Sequence, residues 1–137
     1  MSNNGHVLVD TSAWILSFSN RLPKSTLEEF RALLTEGKVA TTSIIVLELL
    51  GGARTEKDFQ ELREDMEALQ QLPIIKEVWH RSYKLSFELR RKGLNIPATD
   101  IIIASTALHY NTLLLHHDRH FELIARHTPL QVKGVTA

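Results

Sequence analysis

The chain alternates between short apolar runs and longer segments in which apolar side chains return every third or fourth position. The first pattern suits buried strands and the second amphipathic helices. Val7 to Val9, "KVATTS", "LPIIKE", "TLLLH" and "LQVKGV" show the first pattern and are expected strands. Trp14, Ile15 and Phe18 mark a first helix, and Leu27, Phe30 and Leu34 place a second over residues 25–36, closed by Gly37. "SIIVLELLGGA" predicts a helix from about Ser43 that stops at Gly51-Gly52, and Phe59, Leu62, Met66 and Leu69 predict another on a strongly charged segment. Residues 78–92 should form a helix ending in Arg90, Arg91 and Lys92, basic where the macrodipole favours cations. Pro97 opens "ATDIIIASTALHY", Asn111 closes it, and "DRHFELIAR" is a final helix. Strands separated by helices imply βαβ units and a mostly parallel central sheet in a three-layer α/β/α domain. No repeat, low-complexity tract or linker interrupts the pattern, so residues 1–137 read as a single domain.

Composition narrows the class. The apolar share of 43% and the charged share of 23% are those of a soluble globular protein, and 137 residues suffice for a core without staples. The chain has no cysteine, which excludes disulfides and thiolate metal sites. Its polar start, Met-Ser-Asn-Asn-Gly-His, lacks the signal-peptide pattern, and no apolar run is long enough to span a membrane; a cytoplasmic location is expected. Sixteen basic and sixteen acidic residues cancel. Neutrality argues against a salt-driven binder of duplex DNA, but not against an enzyme that touches nucleic acid through a metal and a local basic rim.

Candidate chemistry lies in four carboxylates. Asp10 ends the first expected strand, Glu48 is the polar residue inside "IIVLELL", Asp100 sits between Pro97 and Ile101-Ile102-Ile103, and Asp118 follows "LLLHH". Asp10 and Asp118 have an ordinary explanation as helix caps, and Asp100 as a complement to its helix's first turn. Glu48 falls in mid-helix among apolar neighbours, where no cap is needed and burial would demand a partner. If the sheet is parallel, Asp10, Asp100 and Asp118 meet at one edge, where ligands of open α/β sheets bind. Converged carboxylates repel by about 4 kcal/mol per pair at ~4 Å and an effective dielectric near 20, so a cation is needed. Oxygen ligands without cysteine favour Mg²⁺ or Mn²⁺.

Four segments, "VLVDTSAWI", "TTSIIVLELLGGAR", "IPATDIIIASTAL" and "LLLHHDRHFELIA", together resemble the PIN-domain ribonucleases, and among them the VapC-type toxins of bacterial toxin–antitoxin pairs. The resemblance covers nearly the whole chain. It implies a PIN-like three-layer fold and an endoribonuclease that hydrolyses RNA phosphodiesters with Mg²⁺ or Mn²⁺. Asp10, Glu48, Asp100 and Asp118 would be the acidic quartet, with Asp10 and Asp100 the first choices as direct metal ligands and Thr11 or Ser12 the supporting hydroxyl. It further implies a homodimer and a cognate VapB-like antitoxin. Two positions depart from the family pattern: His116 stands where a threonine or similar small polar residue is usual, and "DRHF" replaces "D-x-D-F", putting His120 in the second acidic place.

Other features have competing explanations. His116, His117 and His120 could hold zinc or copper, although His116 and His117 point to opposite sides of a continuing strand and only one can join Asp118; a histidine assisting proton transfer or contacting phosphate is the better alternative. Trp79, Tyr83 and Phe87 form a stripe better suited to a core or subunit face than to base stacking. Arg90, Arg91 and Lys92 could meet RNA, but solvation at a helix end explains them as well. The rival to the nuclease is a catalytically silent PIN-like module that binds RNA or protein. A phosphotransfer enzyme using Asp10 as nucleophile is a third reading, disfavoured by Ser12 where a second aspartate would be wanted.

Overall fold

The computed structural model describes residues 5–135. Its elements run β1 (Val7–Val9), α1 (Thr11–Phe18), α2 (Lys24–Thr35), β2 (Val39–Thr41), α3 (Ser43–Gly51), α4 (Glu56–Glu67), β3 (Gln70–Gln71), α5 (Lys76–Arg91), α6 (Ala98–Tyr110), β4 (Leu113–His116), α7 (Arg119–Ala125) and β5 (Val132–Gly134). The strands form one sheet in the order β3-β2-β1-β4-β5, and every pairing is parallel. Parallel neighbours need crossovers, and the apolar-periodic segments between strands supply them as helices.

The order reverses at β1. The chain first builds outward through β2 and β3, then returns to the other side of β1 for β4 and β5. Right-handed crossovers on either side of such a reversal place helices on opposite faces, which gives the three layers. Strands covered on both faces read as continuous apolar runs, and Leu8, Val9, Ala40 and Leu114 are fully buried at the centre. Asn111 ends α6 in the left-handed conformation, with φ of 54°, and turns the chain into β4.

One expected element is displaced. "LPIIKE" is not a strand: β3 is Gln70–Gln71, its last ladder bond runs from Leu72 N to Thr41 O at 2.9 Å, and α5 already begins at Lys76. Pro73 has no N–H to continue the ladder, so pairing stops there despite the apolar residues that follow. The stripe on α5 is also not core. Val78, Ser82, Leu85 and Leu89 face inward, whereas Trp79, Tyr83 and Phe87 are 37%, 65% and 60% exposed.

Candidate active site

β1 and β4 are neighbours on either side of the reversal, so their carboxyl ends open the crevice that this topology leaves. Asp10 follows β1 directly, and its N–H still bonds Leu115 O at 2.9 Å. Asp118 follows β4 by one residue beyond His116-His117. α6 precedes β4, so its first turn, which carries Asp100, lies at the same edge.

Both aspartates at strand ends are also helix caps. Asp10 caps α1 by accepting from Ser12 N at 3.1 Å, and Asp118 caps α7 by accepting from His120 N at 2.9 Å. The ordinary explanation and the convergence both hold, because a helix that starts at the crevice needs its cap there.

Ser12 and Thr11, interchangeable as sequence, have different tasks. Ser12 Oγ donates to Asp10 Oδ2 at 2.5 Å and accepts from His117 N at 2.9 Å, linking the ends of β1 and β4. Thr11 Oγ1 donates to Glu48 Oε1 at 2.8 Å. Glu48 is exposed, as is its neighbour Leu47; the core face of α3 is Ile45 and Leu49. The apolar surroundings of Glu48 in the sequence therefore do not bury it, and it stands at the rim of the crevice, tied to the residue after Asp10.

The centre of the cluster is Asp100, Asp118 and His120. Among the described residues these form the one group whose ligand atoms could share a metal ion, all within 4.8 Å of one another. His120 Nδ1 lies 2.9 Å from Asp100 Oδ2 and 3.2 Å from Asp118 Oδ1. Neither His116 nor His117 joins them. His116 Nδ1 accepts from Asp118 N at 3.1 Å while Nε2 faces Glu122 Oε1 at 3.1 Å, and His117 Nδ1 lies 2.7 Å from Val135 O. No zinc or copper set of three histidines is assembled here. The histidine that reaches the carboxylates is the one occupying the second acidic place of "D-x-D-F"; the sequence offered it only as one of three histidines around Asp118 and did not single it out.

Burial dominates the electrostatics. It pushes the Asp100 carboxyl up to about 6, against the bond from His120, with the charges of Asp118 and Asp10 adding to the rise. Asp10 is raised for the same leading reason, opposed by the hydrogen bonds from Ser12 and aided by Asp118. The aspartates thus feel one another, but loss of water outweighs their mutual repulsion, which the sequence had placed first. Such a site favours whatever cation restores the lost solvation, and two carboxylates with an imidazole within a shared radius are a donor set that fits a divalent ion.

A PIN domain family model matches residues 7–127, and the chain belongs to that family. Among curated relatives, ribonuclease VapC11 of Mycobacterium tuberculosis is 29% identical over 128 residues, covering 91% of this chain and 96% of the relative. Ribonuclease VapC17 of the same organism is 33% identical over 90 residues, 64% of this chain and 68% of the relative. Among solved structures, DNA-bound VapBC from Salmonella typhimurium aligns with a TM-score of 0.79 at 21% identity, covering 95% of this chain and 98% of that one. VapBC2 from Rickettsia felis, bound to a promoter DNA fragment, aligns at 0.77 and 21%, covering 93% and 97%.

Proposed function

We propose that this chain is a divalent-cation-dependent endoribonuclease and the toxin of a toxin–antitoxin pair, with Asp10, Glu48, Asp100 and Asp118 as its acidic site. The observation that carries the reading is the convergence of Asp10, Asp100 and Asp118 at the crevice between β1 and β4, in a chain whose relatives are named ribonucleases. Asp100 and Asp118 would hold Mg²⁺ or Mn²⁺, with Asp10 on the β1 side. When bound, the cation supplies positive charge against the scissile phosphate and acidifies water for attack. The protein supplies orientation. Ser12 fixes the Asp10 carboxylate and the end of β4, and Thr11 holds Glu48 at the rim, where it can position water or substrate.

The partner reading has its own support. A groove lined by Ile15, Phe18, Leu49, Gly52 and Leu62 runs to Glu48, and structural neighbours were solved as toxin–antitoxin complexes. A VapB-like antitoxin segment is the occupant we assign to it. The exposed face of Trp79, Tyr83 and Phe87 suits a homodimer. Among the described residues no helix is long and apolar enough to cross a membrane, in keeping with work in the cytoplasm.

The test is cleavage of structured RNA by the purified chain with Mg²⁺ or Mn²⁺. Chelator should abolish it, and Asp100→Asn should abolish it while the protein stays folded. A parent that binds RNA without cutting it under any divalent ion would be the silent module instead.

A further inference from the structure

The acidic places at the end of the chain hold one residue that is not acidic. His120 projects from the first turn of α7 between Asp100 and Asp118, and its backbone N–H is fixed to the same Asp118 oxygen that its ring approaches. The helix cap fixes the backbone from which the ring projects, and the ring itself lies against the two carboxylates.

We infer that His120 is a protein ligand of the divalent cation, Nδ1 joining Asp100 and Asp118 in a mixed nitrogen–oxygen set that favours Mn²⁺ over Mg²⁺. The inference rests on the cation-dependent reading above and adds the donor and the ion preference. Three observations carry it. Donors about 2.1 Å from one ion sit about 3 Å apart when adjacent around it. The ring nitrogen is 2.9 Å from one carboxylate and 3.2 Å from the other, and all three donor atoms fall within 4.8 Å. A single ring N–H directs its hydrogen at one acceptor, yet here oxygens of two different residues flank the same nitrogen; a cation among the three satisfies both at once. Finally, both ring nitrogens of His116 are engaged, by Glu122 and the Asp118 N–H, and His117 turns its Nδ1 to the Val135 carbonyl, whereas His120 is the imidazole grouped with the two carboxylates.

The preference follows from donor chemistry. Mg²⁺ keeps to oxygen and water, whereas imidazole nitrogen suits first-row transition ions, and Mn²⁺ accepts both donor types.

The experiment reads the metal directly. The purified full chain is loaded with Mn²⁺ and examined by pulsed electron paramagnetic resonance for coupling to ¹⁴N, alongside His120→Gln, and Mg²⁺ is titrated against bound Mn²⁺ in parent and His120→Asp. The parent should show nitrogen coupling, His120→Gln should lose it, and His120→Asp should narrow the preference for Mn²⁺ by about tenfold or more. Bound Mn²⁺ without nitrogen coupling in the parent overturns the inference and leaves the cation-dependent reading standing. Coupling that persists in His120→Gln assigns it to another imidazole and also overturns it. Failure of the parent to retain Mn²⁺ overturns both. Should His120→Gln misfold, the parent spectrum alone still decides whether nitrogen is bound.

Discussion

Ser12 Oγ donates to Asp10 Oδ2 at 2.5 Å and accepts from the backbone N–H of His117 at 2.9 Å. One hydroxyl thus orients a candidate ligand and joins the two strands that flank the crevice. Ser12→Ala removes the donor to a buried carboxylate and leaves a backbone N–H without its partner. The variant should lose about 1–3 kcal/mol in urea unfolding under chelator, and Ser12→Thr, which keeps the hydroxyl, should recover most of it. A loss below about 0.5 kcal/mol would mean that water replaces the hydroxyl and that the bridge is not structural.

Stability should depend on pH through Asp100. Its carboxyl is pushed up to about 6 in the fold from an ordinary 3.8 in the unfolded chain. Between those values the folded protein keeps a proton that the unfolded chain has released, so metal-free stability falls as pH rises through the window and levels off above it. The full contribution is on the order of 3 kcal/mol at most. Asp100→Asn should flatten this part of the profile, so that the difference between parent and variant in denaturant midpoint grows from pH 4 to pH 6. Parallel profiles would show that Asp100 ionises as freely in the fold as out of it.

Asp10→Asn separates cap from charge. Both Ser12 bonds land on the same oxygen, so an amide placing its carbonyl there retains them. Asparagine also caps as well as aspartate, whereas Asp10→Ala should cost about 0.5–2 kcal/mol. Because burial disfavours the Asp10 charge, Asp10→Asn should raise the melting temperature in chelator and reduce the added stabilisation by Mg²⁺ or Mn²⁺. Four melting curves, parent and variant with and without ion, measure both effects. Equal ion-induced shifts would place Asp10 outside the cation site.

Most elements were legible because apolar spacing is a local property: Val7–Val9, α3 from Ser43, α6 from Pro97 to Asn111 and the cap at Asp118 stand where the pattern put them. The failures are tertiary. The ladder of β3 is set by what pairs with Thr41, and Pro73 ends it, whereas apolarity alone pointed to the residues beyond. Glu48 lies in an apolar run on a helix whose outward side is open, so its exposure depends on what α3 packs against. The stripe of Trp79, Tyr83 and Phe87 has the same spacing as a core face; only the position of α5 on the sheet decides which side turns inward. Asp10, Asp100 and Asp118 were legible as a group because parallel topology brings strand ends to one edge. The entry of His120 was not, since it depends on a side-chain direction within the first turn of α7.

The double duty of Asp10 and Asp118 has an evolutionary consequence. Each starts a helix, and asparagine would start it equally well. Aspartate and asparagine codons differ by one base, so under the proposed roles of these carboxylates a single transition at either position would silence the chemistry without unmaking the scaffold. On that reading, a lineage built on this arrangement would shed its enzyme in one step and keep the folded protein.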